Sequence, residues 1–336
     1  MNYRNICITG TGKYLPDRIL TSLEIDSRLG KEKGWTEDKS GVRERRFAND
    51  DETTSFMAAK AAEQALENAG LALAELDCIV GSCGVMEQPI PCTASLVQKQ
   101  LGLQDTGITA FDINSTCLSF LSALDTISYM VSAKRFKNVL VFSSDIPSLG
   151  LNWDDTDSCT IFGDGAAAVI ISTASEKNYT QIHASRMETY SKGSEFCQLQ
   201  AGGTRLHPSR FKGNLNDYAL FEMNGKAAYK LAANITDELC EKLLSDTKLT
   251  MGDIDLVIPH QASKLSMHHL IKRLHIPEEK LVNIYHNHGN QVAASMPTAL
   301  HEAVITNRIK QGDKVLLIGT GAGISVGGMI MEYNQC

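Results

Sequence analysis

The feature that most constrains this chain of 336 residues is a faint internal repeat. Apolar segments at 76–80 and 254–258 each follow a helical stretch and precede a polar loop. Later, the helical stretches that begin near Ser122 and Thr298 each run into an apolar strand, a Gly-rich turn and a second apolar strand. The matched elements keep one order at an offset of about 176–178 residues. Such agreement indicates duplication rather than unrelated α/β segments.

The repeat also predicts the architecture. Strands that alternate with helices, and that are nearly continuous runs of Val, Ile and Leu, are typical of sheets buried on both faces. We therefore predict an α/β protein of two similar halves, 1–175 and 176–336. The segment 187–217, rich in Gly, Ser and charge, interrupts the pattern and reads as an irregular excursion of the kind that often covers a functional site.

Composition argues against several classes of protein. The chain is 43% hydrophobic and 21% charged, which is typical of a globular protein. Its net charge of -7 argues against nucleic-acid binding by the chain as a whole. The first residues have no signal-peptide pattern, and no apolar run approaches the roughly 20 residues of a membrane span. We therefore expect a cytoplasmic location and no membrane association.

The chain has nine cysteines, an odd number, and none of their spacings matches a zinc site. We expect no disulfide framework in a reducing compartment and no metal site. One cysteine stands out by position: Cys117 follows a short strand and lies where a helix begins. A helix N-terminus favours an anion, so this location predicts a lowered thiol pKa and an amide able to hold an oxyanion. A buried core cysteine explains the segment equally well.

Two further segments carry candidate chemistry. His260 lies just past an apolar strand, where ligands gather in open α/β sheets, although a structural histidine is the commoner case. In 286–295, Asn290 falls near the counterpart of the Cys117 loop, and Ala293 falls at the counterpart of Cys117 itself. His286 and His288 lack an accompanying carboxylate or cysteine, so we interpret them as solvated loop histidines rather than metal ligands.

These segments resemble the beta-ketoacyl-ACP synthase III group of thiolase-fold condensing enzymes. The resemblance extends from an expected turn at Gly10-Thr11-Gly12 to Tyr333. Its motifs are 41–45 (GVRER), 112–117 (DINSTC), 162–166 (FGDGA), 259–262 (PHQA) and 288–297 (HGNQVAASMP). The resemblance implies the duplicated thiolase-like fold, with five layers in the order α-β-α-β-α and two pseudo-symmetric halves.

The resemblance also implies a mechanism with ping-pong kinetics. Cys117 takes a starter acyl group from acyl-CoA, while His260 and Asn290 hold the thioester carbonyl of malonyl-ACP as it loses CO2. The amides of Cys117 and Gly323 form the oxyanion hole. No cofactor is expected beyond the two substrates, and the family forms homodimers. The product would be a 3-oxoacyl-ACP.

Substrate-binding positions follow from the same resemblance. Trp35 matches the residue that stacks on the adenine of CoA, and Ile90 is expected to line an acyl pocket, either its own or that of a neighbouring subunit. A basic helix face is expected to dock the acidic carrier protein; it comprises Lys264, Lys272 and Arg273. The remaining expected contacts with substrate or CoA are Arg43, Phe162, Gly225, Lys230 and Ser263.

Three positions depart from the common pattern. Ser158 replaces an arginine expected beside Trp35, and Leu118-Ser119 follows the nucleophile. Leu after the cysteine occurs in relatives that condense two acyl-CoA molecules head to head; there an acidic residue usually precedes the proline corresponding to Pro91. Here Glu87 lies three residues before Ile90. Two alternatives therefore stay open: a head-to-head condensing enzyme and a cysteine-dependent acyltransferase of a specialised pathway.

Overall fold

The computed structural model describes residues 4–175 and 178–334. In these residues nine strands form one mixed sheet, in the order β11-β12-β13-β8-β1-β7-β6-β4-β5. The strands are β1 Arg4–Tyr14, β2 Arg18–Thr21, β3 Glu44–Phe47, β4 Cys78–Gly81, β5 Thr109–Asp112, β6 Asn138–Asp145, β7 Gly165–Thr173, β8 Thr180–Thr189, β9 Cys197–Gln198, β10 Glu222–Met223, β11 Leu256–Pro259, β12 Lys314–Gly321 and β13 Ser325–Glu332. The strand pairs β2–β3 and β9–β10 form two small ribbons outside this sheet.

The helices pack on both faces of the sheet. They are α1 Ser22–Leu29, α2 Trp35–Ser40, α3 Thr54–Ala69, α4 Thr93–Gln100, α5 Ser119–Ser132, α6 Gly225–Thr247, α7 Lys264–Arg273, α8 Tyr285–His288 and α9 Ser295–Ile305. Short 3-10 turns link several of them, and two of these turns, Thr116–Leu118 and Val292–Ala294, lie at the site described below.

Three hydrophobic cores fill the spaces between the layers. The central core holds α5 and α9 between the two halves of the sheet. A second core packs α3 and α4 on the outer face of the first half, and a third packs α6 and α7 on the outer face of the second. Alternate residues of β12 show why both faces are buried: Leu317 belongs to the central core, whereas Leu316 belongs to the outer one. The predicted five-layer α-β-α-β-α fold is confirmed.

The two halves join where β1 pairs antiparallel with β8. β4, β6, α5 and the Thr116–Leu118 turn have counterparts in β11, β12, α9 and the Val292–Ala294 turn. The offset shrinks at the closing strands β7 and β13, because the long connection 146–164 is replaced by the short turn 322–324. The predicted boundary between 175 and 176 falls at the edge of the described residues and stays a prediction.

The Gly10-Thr11-Gly12 segment lies inside β1, so the expected turn there is wrong. Its glycines let helix α3 approach the strand closely. A Cβ on Gly10 would lie 2.1 Å from the carbonyl oxygen of Ala65, and one on Gly12 would lie 2.2 Å from that of Ala61. Both distances are far below van der Waals contact, so only glycine is compatible with this helix–strand packing.

The excursion after β8 contains little regular structure: two 3-10 turns, Ser191–Gly193 and Leu215–Tyr218, and the β9–β10 ribbon. It is anchored near the end of the chain by two backbone hydrogen bonds between Tyr190 and Ile324, with N···O distances of 2.7 and 3.2 Å. Within 4–175 and 178–334, none of the helices combines the length and the apolar character needed to cross a membrane.

Candidate active site

Cys117 lies in the 3-10 turn Thr116–Leu118, which we call the Cys117 turn. Three residues separate the turn from the end of β5, and the turn leads directly into α5. Asn114 fixes its start, because the Asn114 side-chain oxygen accepts from the amide of Thr116 at 3.1 Å. The hydroxyl of Ser119 accepts from the amide of Ser115 at 2.8 Å. The predicted helix start at Cys117 is therefore a tight turn with α5 one residue beyond Leu118.

The second half repeats this turn without the thiol. We call Val292–Ala294 the Ala293 turn, since Ala293 stands at the position of Cys117. Thr116 and Val292 both have φ of 52°. The hydrogen bonds also match: Gln291 N donates to Ser295 Oγ at 3.0 Å, as Ser115 N does to Ser119, and Val292 N donates to Asn290 Oδ1 at 2.9 Å, as Thr116 N does to Asn114.

His260 follows β11 and is buried, with 4% of its surface exposed. Its amide donates to the carbonyl of Ile318 at 2.9 Å. A Cβ at Gly319 would lie 2.7 Å from His260 Cβ and 3.1 Å from Leu118 Cδ2. The histidine and the residue after Cys117 therefore flank the same glycine.

Asn290 is held close to His260. Its side-chain nitrogen donates to the carbonyl of Ala262 at 3.2 Å, which leaves its second N–H for another acceptor. Asn114 makes the matching bond in the first half, to the carbonyl of Gly84 at 3.1 Å. The fold thus gathers one thiol from the first half and one histidine and one amide from the second.

The electrostatics of the site differ from the sequence-based expectation. Burial, followed by the charge of Asp145, raises the pKa of Cys117 to about 12, although the amides of Ala322 and of Cys117 itself lower it. The expected lowered pKa is therefore wrong, because desolvation outweighs the turn's amides. Burial also lowers the pKa of His260 to about 4. At neutral pH the site holds a protonated thiol and a neutral imidazole.

The loop after β12 closes over the sulfur. The amide of Ala322 acts on the Cys117 thiol, and the hydroxyl of Thr116 donates to the carbonyl of Ala322 at 3.3 Å. Gly323 follows with φ of 139°, a conformation that favours glycine. The expected oxyanion hole formed by the amides of Gly323 and Cys117 stays a prediction. The amide that contacts the Cys117 sulfur in the structure is that of the neighbouring Ala322.

The expected CoA-binding side lies on α2 and its surroundings. The ring of Trp35 is flanked by the Lys31 and Lys39 ammonium groups, at 5.2 and 5.1 Å from its centroid. Arg43 is exposed and donates to the side-chain oxygen of Asn287 at 2.8 Å. Ser158 is fully buried, so it presents nothing to a ligand beside Trp35.

Phe162 reaches the site directly. It pairs with Asn290 through an isolated backbone bridge, and its ring meets Phe221 edge to face at 5.2 Å. Gly225 and Lys230 lie farther along, at the start and in the first turns of α6, where Lys230 is exposed. Phe162 therefore lies against Asn290, whereas Lys230 is exposed on α6.

The expected basic face on α7 is not a single face. Ser263 caps the helix, accepting from the amide of Ser266 at 3.2 Å. Lys264 donates to the carbonyl of Asp38 at 3.2 Å, on the Trp35 side, whereas Arg273 forms an ion pair with Asp237 of α6 at 2.7 Å. Lys272 is exposed next to Arg273. At about 3.6 residues per turn, Lys264 and Arg273 lie on nearly opposite sides of the helix.

Ile90 does not line a pocket of its own chain, because 85% of its surface is exposed. It belongs to the loop 82–92, five residues of which border a cavity of about 200 Å³ next to Asn114. In the same loop the Glu87 carboxylate accepts from the amide of Ser55 at 2.6 Å, at the start of α3. Glu87 is therefore engaged in capping a helix.

Other residues were missed or misread. Asp145 is buried beside the site, and a thiol of the excursion, Cys197, interacts electrostatically with Cys117. His288 is not a solvated histidine: burial lowers its pKa to about 4, while His286 is exposed as predicted. Of the described cysteines Cys7 is disulfide-bonded, and the free thiols are Cys78, Cys83, Cys92, Cys117, Cys159, Cys197 and Cys240.

Comparison with known proteins agrees with this geometry. The family model of 3-oxoacyl-[acyl-carrier-protein] synthase III matches residues 111–191, and the model of its C-terminal part matches 244–333. The beta-ketoacyl-[acyl-carrier-protein] synthase III of Aquifex aeolicus is 34% identical over 326 residues, which is 97% of this chain and 99% of that protein. That of Listeria welshimeri is 32% identical over 331 residues, 98% of this chain and 100% of its own.

Solved structures are similar over the whole length. The crystal structure of 3-oxoacyl-[acyl-carrier-protein] synthase III from Aquifex aeolicus matches with a TM-score of 0.88 and 33% identity, over 98% of this chain and 100% of that one. The corresponding structure from Thermus thermophilus matches with a TM-score of 0.87 and 28% identity, also over 98% and 100%.

Proposed function

Since this chain belongs to the 3-oxoacyl-[acyl-carrier-protein] synthase III family, we propose that it joins a starter acyl group from acyl-CoA to malonyl-ACP by decarboxylative Claisen condensation. One observation carries the assignment of residues. The Cys117 turn of the first half carries the thiol, whereas in the second half Asn290 lies just before the Ala293 turn and donates to the carbonyl of Ala262, two residues beyond His260. Together the two halves hold one nucleophile and one pair of hydrogen-bond donors.

In the first half-reaction the Cys117 sulfur bonds to the acyl carbon of acyl-CoA and the bond from that carbon to the CoA sulfur breaks. The thiol is protonated at neutral pH because burial raises its pKa. Its proton must therefore move to the leaving CoA sulfur. The neutral imidazole of His260 relays it, as general acid–base catalysis requires a group free to accept. The tetrahedral oxyanion is held by the amides of Cys117 and Gly323.

In the second half-reaction the bond between the malonyl carbon and its carboxylate breaks, and CO2 leaves. The electron pair remains as an enolate, whose oxygen accepts from His260 and from the free N–H of Asn290. A single preorganised donor of this kind contributes about 3–4 kcal/mol to the transition state. The enolate carbon then bonds to the acyl carbonyl carbon, the bond from that carbon to Cys117 breaks, and 3-oxoacyl-ACP leaves. The thiolate takes up one proton from solvent, which replaces the proton that left with CoA. No cofactor or metal takes part in this scheme.

The head-to-head alternative has less support in the structure. Leu118 is fully buried, and its side chain packs against Gly319, Gly321 and Gly327. Glu87 is engaged with the start of α3 and is not free to act as a base. Leu118, the feature that suggested this chemistry, therefore has a structural explanation, and the position before Pro91 holds Ile90 rather than an acidic residue.

We further propose that loop 82–92 packs on a second copy of the chain. Val85, Met86 and Ile90 expose 53%, 48% and 85% of their surfaces in this one loop. Clustered exposed apolar side chains of this kind mark an interface. In such a dimer Ile90 would reach the partner's acyl pocket. The cytoplasmic location and the docking of the carrier protein on Lys264, Lys272 and Arg273 stay predictions.

Two variants test the assignment. Cys117→Ala should abolish the mass increase that acyl-CoA produces on the intact protein, whereas Cys240→Ala, which removes a buried thiol of the outer layer, should keep it. Asn290→Ala should still be acylated but should decarboxylate malonyl-ACP about 100–1,000-fold more slowly. Persistent acylation of Cys117→Ala would refute the nucleophile, and equal losses in both half-reactions of Asn290→Ala would refute the division of roles.

A further inference from the structure

A buried carboxylate of the first half occupies the Ala293 turn. Asp145 is the last residue of β6 and exposes 1% of its surface. One of its oxygens, Oδ2, accepts from the amides of Ala293 and Ala294 at 3.1 and 3.3 Å. The other, Oδ1, accepts from Gly84 and Val85 at 2.8 and 3.1 Å. Four amides from two loops therefore converge on one side chain.

The repeat shows what is unusual about this contact. The counterpart of Asp145 at the end of β12 is Gly321. A Cβ on Gly321 would lie 2.8 Å from Thr116 Oγ1, so this strand end has no room for a side chain beside the Cys117 turn. The carboxylate oxygen thus sits on the amide that corresponds to that of Cys117. The thiol-free turn binds a carboxylate of the protein itself in the place where the Cys117 turn is expected to hold a transient oxyanion.

The same turn controls Asn290. The Val292 amide donates to the side-chain oxygen of Asn290 at 2.9 Å, and this bond orients the amide group. Val292 also packs on the loop that Asp145 binds, since a Cβ on Gly84 would lie 2.4 Å from Val292 Cγ1. Releasing the Asp145 carboxylate would free the Ala293 turn and, through Val292, the side chain of Asn290.

We propose that Asp145 is a positioning residue for decarboxylation: by binding the Ala293 turn and the Gly84–Val85 loop together, it holds Asn290 at the enolate position. This inference rests on the proposed function, since it concerns the second half-reaction. It predicts that loss of the carboxylate impairs decarboxylation while sparing acylation of Cys117. Acylation should not slow, because the charge of Asp145 is one of the causes that raise the Cys117 pKa.

The role also predicts a pH dependence. Burial raises the pKa of Asp145 to about 7, although its four amide partners lower it. Below that pH the protonated oxygen becomes a donor and no longer accepts from an amide. His260, with a pKa of about 4, and Cys117, at about 12, do not titrate in this range. Cys83, which faces Asp145 together with Asp112 and Glu87 nearby, has a pKa raised by burial.

The test uses the full chain with two separate assays, acylation by acyl-CoA followed by intact mass and CO2 release from malonyl-ACP. Asp145→Asn should release CO2 about 100-fold more slowly, the loss expected when a catalytic group is misplaced by about 1 Å. It should be acylated at least as fast as the wild type. In the wild type, CO2 release should decrease below about pH 7 as Asp145 becomes protonated, and Asp145→Asn should lack this decrease. The control is Ser144→Ala, which removes a buried hydrogen bond from the same strand to Thr54 and should leave both assays unchanged.

Equal slowing of both assays in Asp145→Asn, or wild-type CO2 release, would overturn the role of Asp145 alone. A wild-type enzyme that acylates but releases no CO2 would instead overturn the proposed function. If Asp145→Asn does not fold, the pH profile of CO2 release provides the test. The decrease of CO2 release below about pH 7 must appear in the wild type. It must be absent from the residual CO2 release of Asn290→Ala, because Asp145 is proposed to act through Asn290. If CO2 release by Asn290→Ala still decreases below about pH 7, the proposed action of Asp145 through Asn290 is refuted.

Discussion

Gly319→Ala is the most selective perturbation that the structure offers for the position of His260. The new Cβ would lie 2.7 Å from His260 Cβ and 3.1 Å from Leu118 Cδ2, on the contact where the two halves of the site meet. A Cβ so close to the backbone of His260 cannot move aside as a flexible side-chain end can. The imidazole must shift away from the Cys117 turn, or the turn itself must move.

The magnitude follows from two opposing effects. Overpacking typically costs about 1–3 kcal/mol, and replacing Gly by Ala in a strand returns about 0.5–1 kcal/mol. The net loss of stability should be about 0–2.5 kcal/mol, a decrease of at most a few degrees in melting temperature. The catalytic loss should be larger. A displacement of about 1 Å of a catalytic group costs about 100-fold in rate, so CO2 release from malonyl-ACP should fall by about that factor.

Gly328→Ala provides the matched control. On this neighbouring strand a new Cβ would also lie 2.7 Å from an atom, but that atom is Leu243 Cδ1 in the outer core. It should lose no more stability than Gly319→Ala, because the Leu243 side chain can move aside, and it should keep its activity. The assays are thermal unfolding and CO2 release on both variants. If Gly319→Ala loses stability like Gly328→Ala yet decarboxylates normally, the contact at Gly319 does not position His260.

Two further predictions concern the thiol and the exposed loop. The rate at which iodoacetamide alkylates Cys117 should rise about tenfold per pH unit from pH 7 to 10 without a plateau, because the thiol pKa is raised to about 12. Mass spectrometry measures this rate, and a plateau near pH 8 would contradict the raised pKa. Ile90→Glu should convert a dimer to monomers in sedimentation at micromolar protein, because it places a charge in the exposed apolar loop. Leu149→Glu, at another exposed apolar residue, should leave the dimer intact. An unchanged dimer in Ile90→Glu would refute the loop as the interface.

The sequence predicted the main features of the fold because duplication is visible in the order of elements. Two matching runs of strand, helix and strand constrain the layers strongly. The roles predicted for Cys117, His260 and Asn290 came instead from the resemblance of their motifs to the family, since their positions alone left a core cysteine and a structural histidine open. The excursion after β8 was also recognised, since its composition lacks the apolar periodicity of the flanking strands.

Features that depend on packing could not be predicted. The pKa of Cys117 is set by the protein around the sulfur, and neither its position at a turn nor its neighbours in sequence reveal that burial outweighs the amide dipoles. The exposure of Ile90 likewise depends on where loop 82–92 leaves the sheet. Lys264 and Arg273 are different, because helical periodicity alone already separates them around α7.

Asp145 was missed because the two halves of the sequence were compared only for their similarities. A carboxylate that ends an apolar strand, opposite a glycine in the other half, is a visible asymmetry in the sequence. Its meaning needs the structure, which shows the carboxylate on the amides of Ala293 and Ala294. A duplicated fold presents two equivalent turns, and a single reaction centre requires that they differ. Here the Cys117 turn carries the thiol, while its counterpart carries Ala293 and binds Asp145 through its amides, as the proposed support of Asn290 requires.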